Sequence, residues 1–131
     1  MKIIITNWAL QSYLELLGTF TKTEYKEIIR PDTERLETYP ENPKFNSDKF
    51  WSPCKDRAKK VIRHGYKMKW HNLGSGRVQL RLLVVLLDNT AYLCNAYVKD
   101  SDKKDEREMA KLKNKIKLIQ DGRYISRGWL L

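Results

Sequence analysis

The chain has 131 residues, 41% of them hydrophobic and 32% charged, and a formal net charge of +10. That length suits one domain spanning 1–131, and that much apolar material excludes wholesale disorder. The charge points to a polyanionic partner, with nucleic acid ahead of acidic protein or membrane surface.

Residues 2–6, KIIIT, are β-branched and predict a short first strand. NWALQSYLELL follows, with apolar residues recurring at helical spacing and Asn7 as the expected N-cap. The start MKIII is like that of a signal peptide, but Thr6, Asn7, Gln11 and Ser12 interrupt it. No stretch approaches the roughly 18–20 apolar residues of a membrane span, so a cytoplasmic protein is expected. Thr21 and Glu24 form a capping-box pattern that opens the next helix. Pro31 either stops that helix or sits in the first turn of another. Three prolines between Pro40 and Pro53 predict a long loop.

YKMKWHNLGSGRVQLRL, residues 66–82, predicts a hairpin that turns at Asn72–Gly76. The apolar run from Leu82 to Leu87 predicts a central strand buried on both faces. Asp88-Asn89-Thr90 makes a turn, and residues 91–99 form the last strand. Residues 101–120 read as a charged helix with one apolar stripe, closed by Gly122. Acids near its start and lysines further along suit the helix dipole. The order predicts an α+β domain: a small twisted antiparallel sheet packed on one side by the N-terminal helices and a C-terminal helix. Cys54 and Cys94 have neither metal-ligand spacing nor a His cluster, and read as free thiols.

Charge is concentrated within this frame. Residues 55–81 hold nine Lys or Arg and one acid, Asp56, while the rest of the chain has 17 basic and 15 acidic groups. Alternation places Lys67, Lys69 and His71 on one sheet face, with Arg77, Gln79 and Arg81 across the hairpin. Asn95, Tyr97 and Lys99 join them from the last strand, and the expected face is free of helices. These strand positions include no carboxylate, so like charges face one another. Guanidinium, ammonium, imidazole and phenol together bind phosphate and stabilise charge that develops on it. In RNA the 2′-hydroxyl supplies the nucleophile, so no metal or cofactor is expected. His71 carries an imidazole, the side chain most often used for proton transfer, and Lys67 or Lys69 among like charges is an alternative base. Tyr97 would stack on a base or position the phosphate.

The hairpin YKMKW…GRVQLRL and the strand AYLCNAYVK running into DSDKKDEREMAKLKNKI resemble the RelE/ParE superfamily of type II toxin–antitoxin toxins, especially its RelE/HigB-like branch. The resemblance covers roughly residues 60–121; residues 31–58 are longer than the usual connection. It implies a microbial-RNase-like fold and a toxin that enters the ribosomal A site, cleaves mRNA without metal and inhibits translation. It also implies a cognate antitoxin, and operator DNA bound through the antitoxin complex. Lys67 and Lys69 match the first basic strand, Arg77 or Arg81 the second, Lys99 the end of the last strand, and Tyr124 the C-terminal aromatic. The expected catalytic set is Lys67, Lys69, His71, Arg81 and Lys99. Arg77, Gln79, Tyr97, Lys103 and Tyr124 are the expected RNA contacts. The alternative on this fold is a ParE-like DNA gyrase poison or a non-catalytic nucleic-acid-binding module.

Overall fold

An apolar run such as Leu82–Leu87 has no polar face to leave in water, so it needs cover on both sides. The computed structural model, which describes residues 1–131, provides that cover. The elements are β1 (Lys2–Thr6), α1 (Asn7–Glu15), α2 (Lys22–Glu24), α3 (Arg30–Glu34), β2 (Trp51–Lys55), β3 (Val61–Asn72), α4 (Leu73–Gly76), β4 (Val78–Leu87), β5 (Thr90–Val98), α5 (Asp102–Gln120) and β6 (Ser126–Arg127). Six strands form one sheet in the order β2-β3-β4-β5-β1-β6. All neighbours are antiparallel except β1 and β5. The fold is α+β, as the sequence predicts. No helix is long and apolar enough to cross a membrane.

Alternation along β4 assigns the layers. Leu80, Leu82 and Val84 enter one core with Ala9 and Tyr13 of α1, Tyr25, Ile29 and Leu36. Leu83 and Val85 point the other way and meet Met109, Leu112, Ile116 and Ile119 of α5. Each fully buried Leu or Ile contributes about 2 kcal/mol, so both faces are firmly held. Gly65 lets α5 come close: a Cβ there would stand 3.0 Å from a Leu112 methyl. The helices therefore lie on both faces of the sheet. The expectation of all helices on one side, with a helix-free polar face, is corrected, because the apolar stripe of α5 needs Leu83 and Val85 as its partner.

Local details follow the chemistry of the turns and caps. Thr6, rather than Asn7, caps α1 by accepting from Ala9 N at 3.2 Å. The Asn7 side chain accepts from Ile125 N at 3.1 Å instead, which docks the C-terminal segment. The Thr21–Glu24 capping box forms as expected. Pro31 lies in the first turn of α3, directly after a π-helical turn at Tyr25–Ile29. The stretch read as a loop contains a 3-10 turn at Pro43–Asn46 and ends in β2, an edge strand where Pro53 is tolerated. The hairpin closes through α4, a single distorted turn with left-handed Gly74 and Ser75. Gly122, with φ of 72°, follows α5.

Candidate anion-binding site

The register of the three central strands assembles the site. Lys69 on β3 is opposite Arg81 on β4, and Arg81 is opposite Tyr97 on β5. Lys67 lies two residues back along β3 on the same face. Ser101 caps α5, accepting from Lys104 N at 3.1 Å, and starts the helix directly beside this row. Asp105 in its first turn then reaches the sheet. Its carboxylate accepts from Lys67 Nζ at 2.9 and 2.7 Å and from the Tyr97 hydroxyl.

The two halves of the row differ electrostatically. Burial alone would raise the Asp105 carboxyl. The hydrogen bonds from Lys67 and Tyr97 and the charges of Lys67 and Lys99 outweigh it, and hold the group below its ordinary value. Tyr97 is buried, and burial together with Asp105 pushes its phenol up, so it stays protonated. Lys69 and Arg81 have no carboxylate within ion-pair distance. Lys69 Nζ donates to the main-chain oxygen of Asp48 at 2.7 Å. Its pKa is lowered by burial first, then by the charges of Lys67, Arg81 and Lys99. Arg81 is only 5% exposed; it donates to Leu80 O at 3.3 Å and Gln79 Oε1 at 3.2 Å. Burial lowers its pKa too. An open cleft of about 490 Å³ runs past Lys67 and Lys69, within the size range of ligand sites.

No family model, curated protein or solved structure matches this chain. The site is therefore read from its own chemistry.

Lys67, Lys69, Arg81, Tyr97 and Lys99 are brought together as the sequence predicts. Lys99 is close enough to act on both Lys69 and Asp105, although it also lies 3.7 Å from Asp102. His71 sits at the rim, exposed, with Nε2 donating to Lys49 O at 2.6 Å. Arg77, between α4 and β4, and Gln79, in β4, are exposed, and Gln79 holds Arg81. Two expected RNA contacts lie outside the cluster. Lys103 points into a neighbouring groove with Arg57, Arg107 and Lys113. Tyr124 packs edge-to-face on Tyr92, with ring centroids 5.2 Å apart, towards the other end of β5. A β-bulge explains a further departure. The register jumps from Leu83–Asn95 to Val84–Leu93, so Cys94 and Asn95 both serve the α5 side. Asn95 Nδ2 donates to Glu108 at 2.6 Å and is not free for a ligand.

Sequence reasoning missed Asp105, because strand alternation cannot register a residue supplied by a helix. The acids of α5 also change the charge balance. The cleft has four lysines, Lys55, Lys59, Lys67 and Lys69, and five carboxylates: Asp48, Asp56, Asp102, Asp105 and Glu106. The concentration of positive charge along residues 55–81 is thus largely compensated in space, and Lys69 and Arg81 are the members of the row that make no ion pair with a carboxylate. No three His, Cys, Asp or Glu side chains gather where they could hold a metal ion.

Proposed function

We propose that this chain is a type II toxin of RelE/HigB-like character: an endoribonuclease that cleaves mRNA, in the ribosomal A site, by attack of the 2′-hydroxyl on the adjacent phosphate. The observation that carries the reading is the Lys69–Arg81 pair, two adjacent cations with no carboxylate in ion-pair contact, of which Lys69 lines an open cleft. A desolvated cation without a partner is costly, and a bound phosphate relieves that cost. Arg81 and the other cations stabilise charge on the non-bridging oxygens. Lys69, with its lowered pKa, takes the 2′-hydroxyl proton. The P–O2′ bond forms, the P–O5′ bond breaks, and the leaving oxygen takes a proton from Lys67 or, at the rim, His71. The products are a 2′,3′-cyclic phosphate and a 5′-hydroxyl. The setting is the cytoplasm, and a cognate antitoxin restrains the toxin and carries it to operator DNA.

A non-catalytic nucleic-acid binder on the same fold has one observation in its favour: Lys67 and Tyr97 are already engaged by Asp105. A labelled mRNA incubated with the protein, with and without translating ribosomes, separates the readings. Cleavage with cyclic-phosphate ends, abolished in Lys69→Ala and Arg81→Ala, is expected. Intact mRNA beside stalled gyrase–DNA complexes would establish the ParE-like alternative, and RNA binding without scission the non-catalytic one.

A further inference from the structure

The cluster contains a second anion position, and the chain fills it itself. Asp105 receives both hydrogen bonds from Lys67 Nζ and the one from Tyr97, and lies within electrostatic reach of Lys99. Its oxygens stand among cationic and phenolic donors, as phosphate oxygens would. The pair is sheltered, with side chains of Lys67 and Asp105 only 13% and 20% exposed, so water screens the charges weakly. By contrast, Glu106 one residue along accepts no hydrogen bond and is exposed.

From this geometry we infer that Asp105 is an autoinhibitory contact: it competes with phosphate for Lys67 and Tyr97 and holds down the affinity of the neighbouring Lys69–Arg81 position. Asp105 takes the Lys67 ammonium with both its oxygens, so a phosphate can take that contact only by displacing the carboxylate, and two adjacent anions repel. Either the first turn of α5 withdraws Asp105 or the second position stays closed. The anion affinity of the whole row is then set by the docking of α5, a device the strand residues alone do not contain. The inference rests on the cluster binding phosphate and is independent of whether RNA is cut.

The test uses two probes, inorganic phosphate and a non-cleavable 2′-O-methyl RNA oligonucleotide, titrated calorimetrically into wild type, Asp105→Asn, Asp105→Ala and Glu106→Gln. Relief of the competition should tighten both probes at least about fivefold in the Asp105 variants, the lower end of common coupling strengths. Glu106→Gln removes the same formal charge from an exposed position and should change affinity less than about twofold. Equal gains in all three variants would reduce the effect to net charge and overturn the inference, as would no gain in either Asp105 variant. If the Asp105 variants are unfolded by circular dichroism, hydrogen exchange on wild type decides. Saturating phosphate should increase exchange at residues 102–106, and unchanged or slower exchange there overturns the inference. Tightened binding of these probes, together with intact labelled mRNA in the ribosome assay, would leave the inference standing while the endoribonuclease reading falls.

Discussion

The indole N–H of Trp70 donates to Asp32 Oδ2 at 2.9 Å, tying the end of the basic hairpin to the helical segment before it. Asp32 is almost fully buried and also accepts from Arg35 Nε at 3.0 Å and Lys44 Nζ at 2.9 Å. Asp32→Ala removes the acceptor for three donors and leaves the buried indole N–H unpaired. A loss of about 2–4 kcal/mol in urea unfolding is expected. Trp70→Phe, which removes one bond and some packing, should cost less. Unchanged stability in Asp32→Ala would show that water replaces the carboxylate.

Lys69 makes a prediction with a definite sign. Its folded-state pKa lies below the ordinary lysine value of 10.5, so the folded chain binds this proton less readily than the unfolded chain. Stability from this group therefore rises as pH climbs through the folded pKa and levels off above the unfolded one. Lys69→Met keeps the aliphatic stem and removes the titration. The variant should resist urea at least as well as wild type at pH 7, lose the alkaline rise, and bind RNA more weakly. An identical alkaline rise in both proteins would assign it to other groups.

How far the sequence reveals the molecule depends on the range of the interaction. The capping box at Thr21–Glu24, the Asn72–Gly76 turn and the stripe of α5 are local patterns and appear where expected. So does the cation row, because alternation and hairpin register are also short-range. β2 was hidden because Pro53 signals a loop, although Pro is admissible on an edge strand. The placement of α5 against Leu83, and with it Asp105 over Lys67, depends on residues tens of positions apart. Positive charge counted along the chain overstated the cationic character for the same reason: three of the five compensating acids in the cleft, Asp102, Asp105 and Glu106, arrive from α5.

The two cysteines should be chemically silent in the folded protein. Both are fully buried, and burial pushes each thiol up to about 12. Thiolate is the reactive form, so iodoacetamide at pH 8 should label neither until urea unfolds the chain. Rapid labelling of native protein would place one thiol in an opening segment, with Cys54 on edge strand β2 the first to examine.

His71 and Arg81 separate proton transfer at the rim from charge stabilisation within the row. His71 is exposed, donates to Lys49 O and stands about 7 Å beyond Lys69 along β3 at the usual rise per residue. Arg81 lies within the row, directly opposite Lys69 and almost fully buried. His71→Gln should retain cleavage within a few-fold, whereas Arg81→Ala should lose about a hundredfold or more, typical of a removed transition-state donor. Arg81→Lys should recover only part, because a single ammonium cannot reproduce the guanidinium fork. A hundredfold loss in His71→Gln, with the fold intact, would move the proton transfer to the rim.

Tyr97→Phe isolates one bond of the Asp105 network. The depressed Asp105 carboxyl contributes stability that is fully present above the ordinary carboxylate range and lost as pH falls through the folded value. Removing the phenol hydroxyl takes away one of the two hydrogen-bonding partners that oppose burial, so the carboxyl should titrate higher. The acid loss of stability should then be smaller, and be complete at higher pH, than in wild type. Carbon-detected NMR of the Asp105 carboxyl and urea midpoints between pH 2 and 6 would measure both. Lys67→Met should shift the same titration further, since it removes a charge as well as hydrogen bonds. If Tyr97→Phe shifted it more than Lys67→Met, the phenol rather than the ammonium would be the main restraint on Asp105.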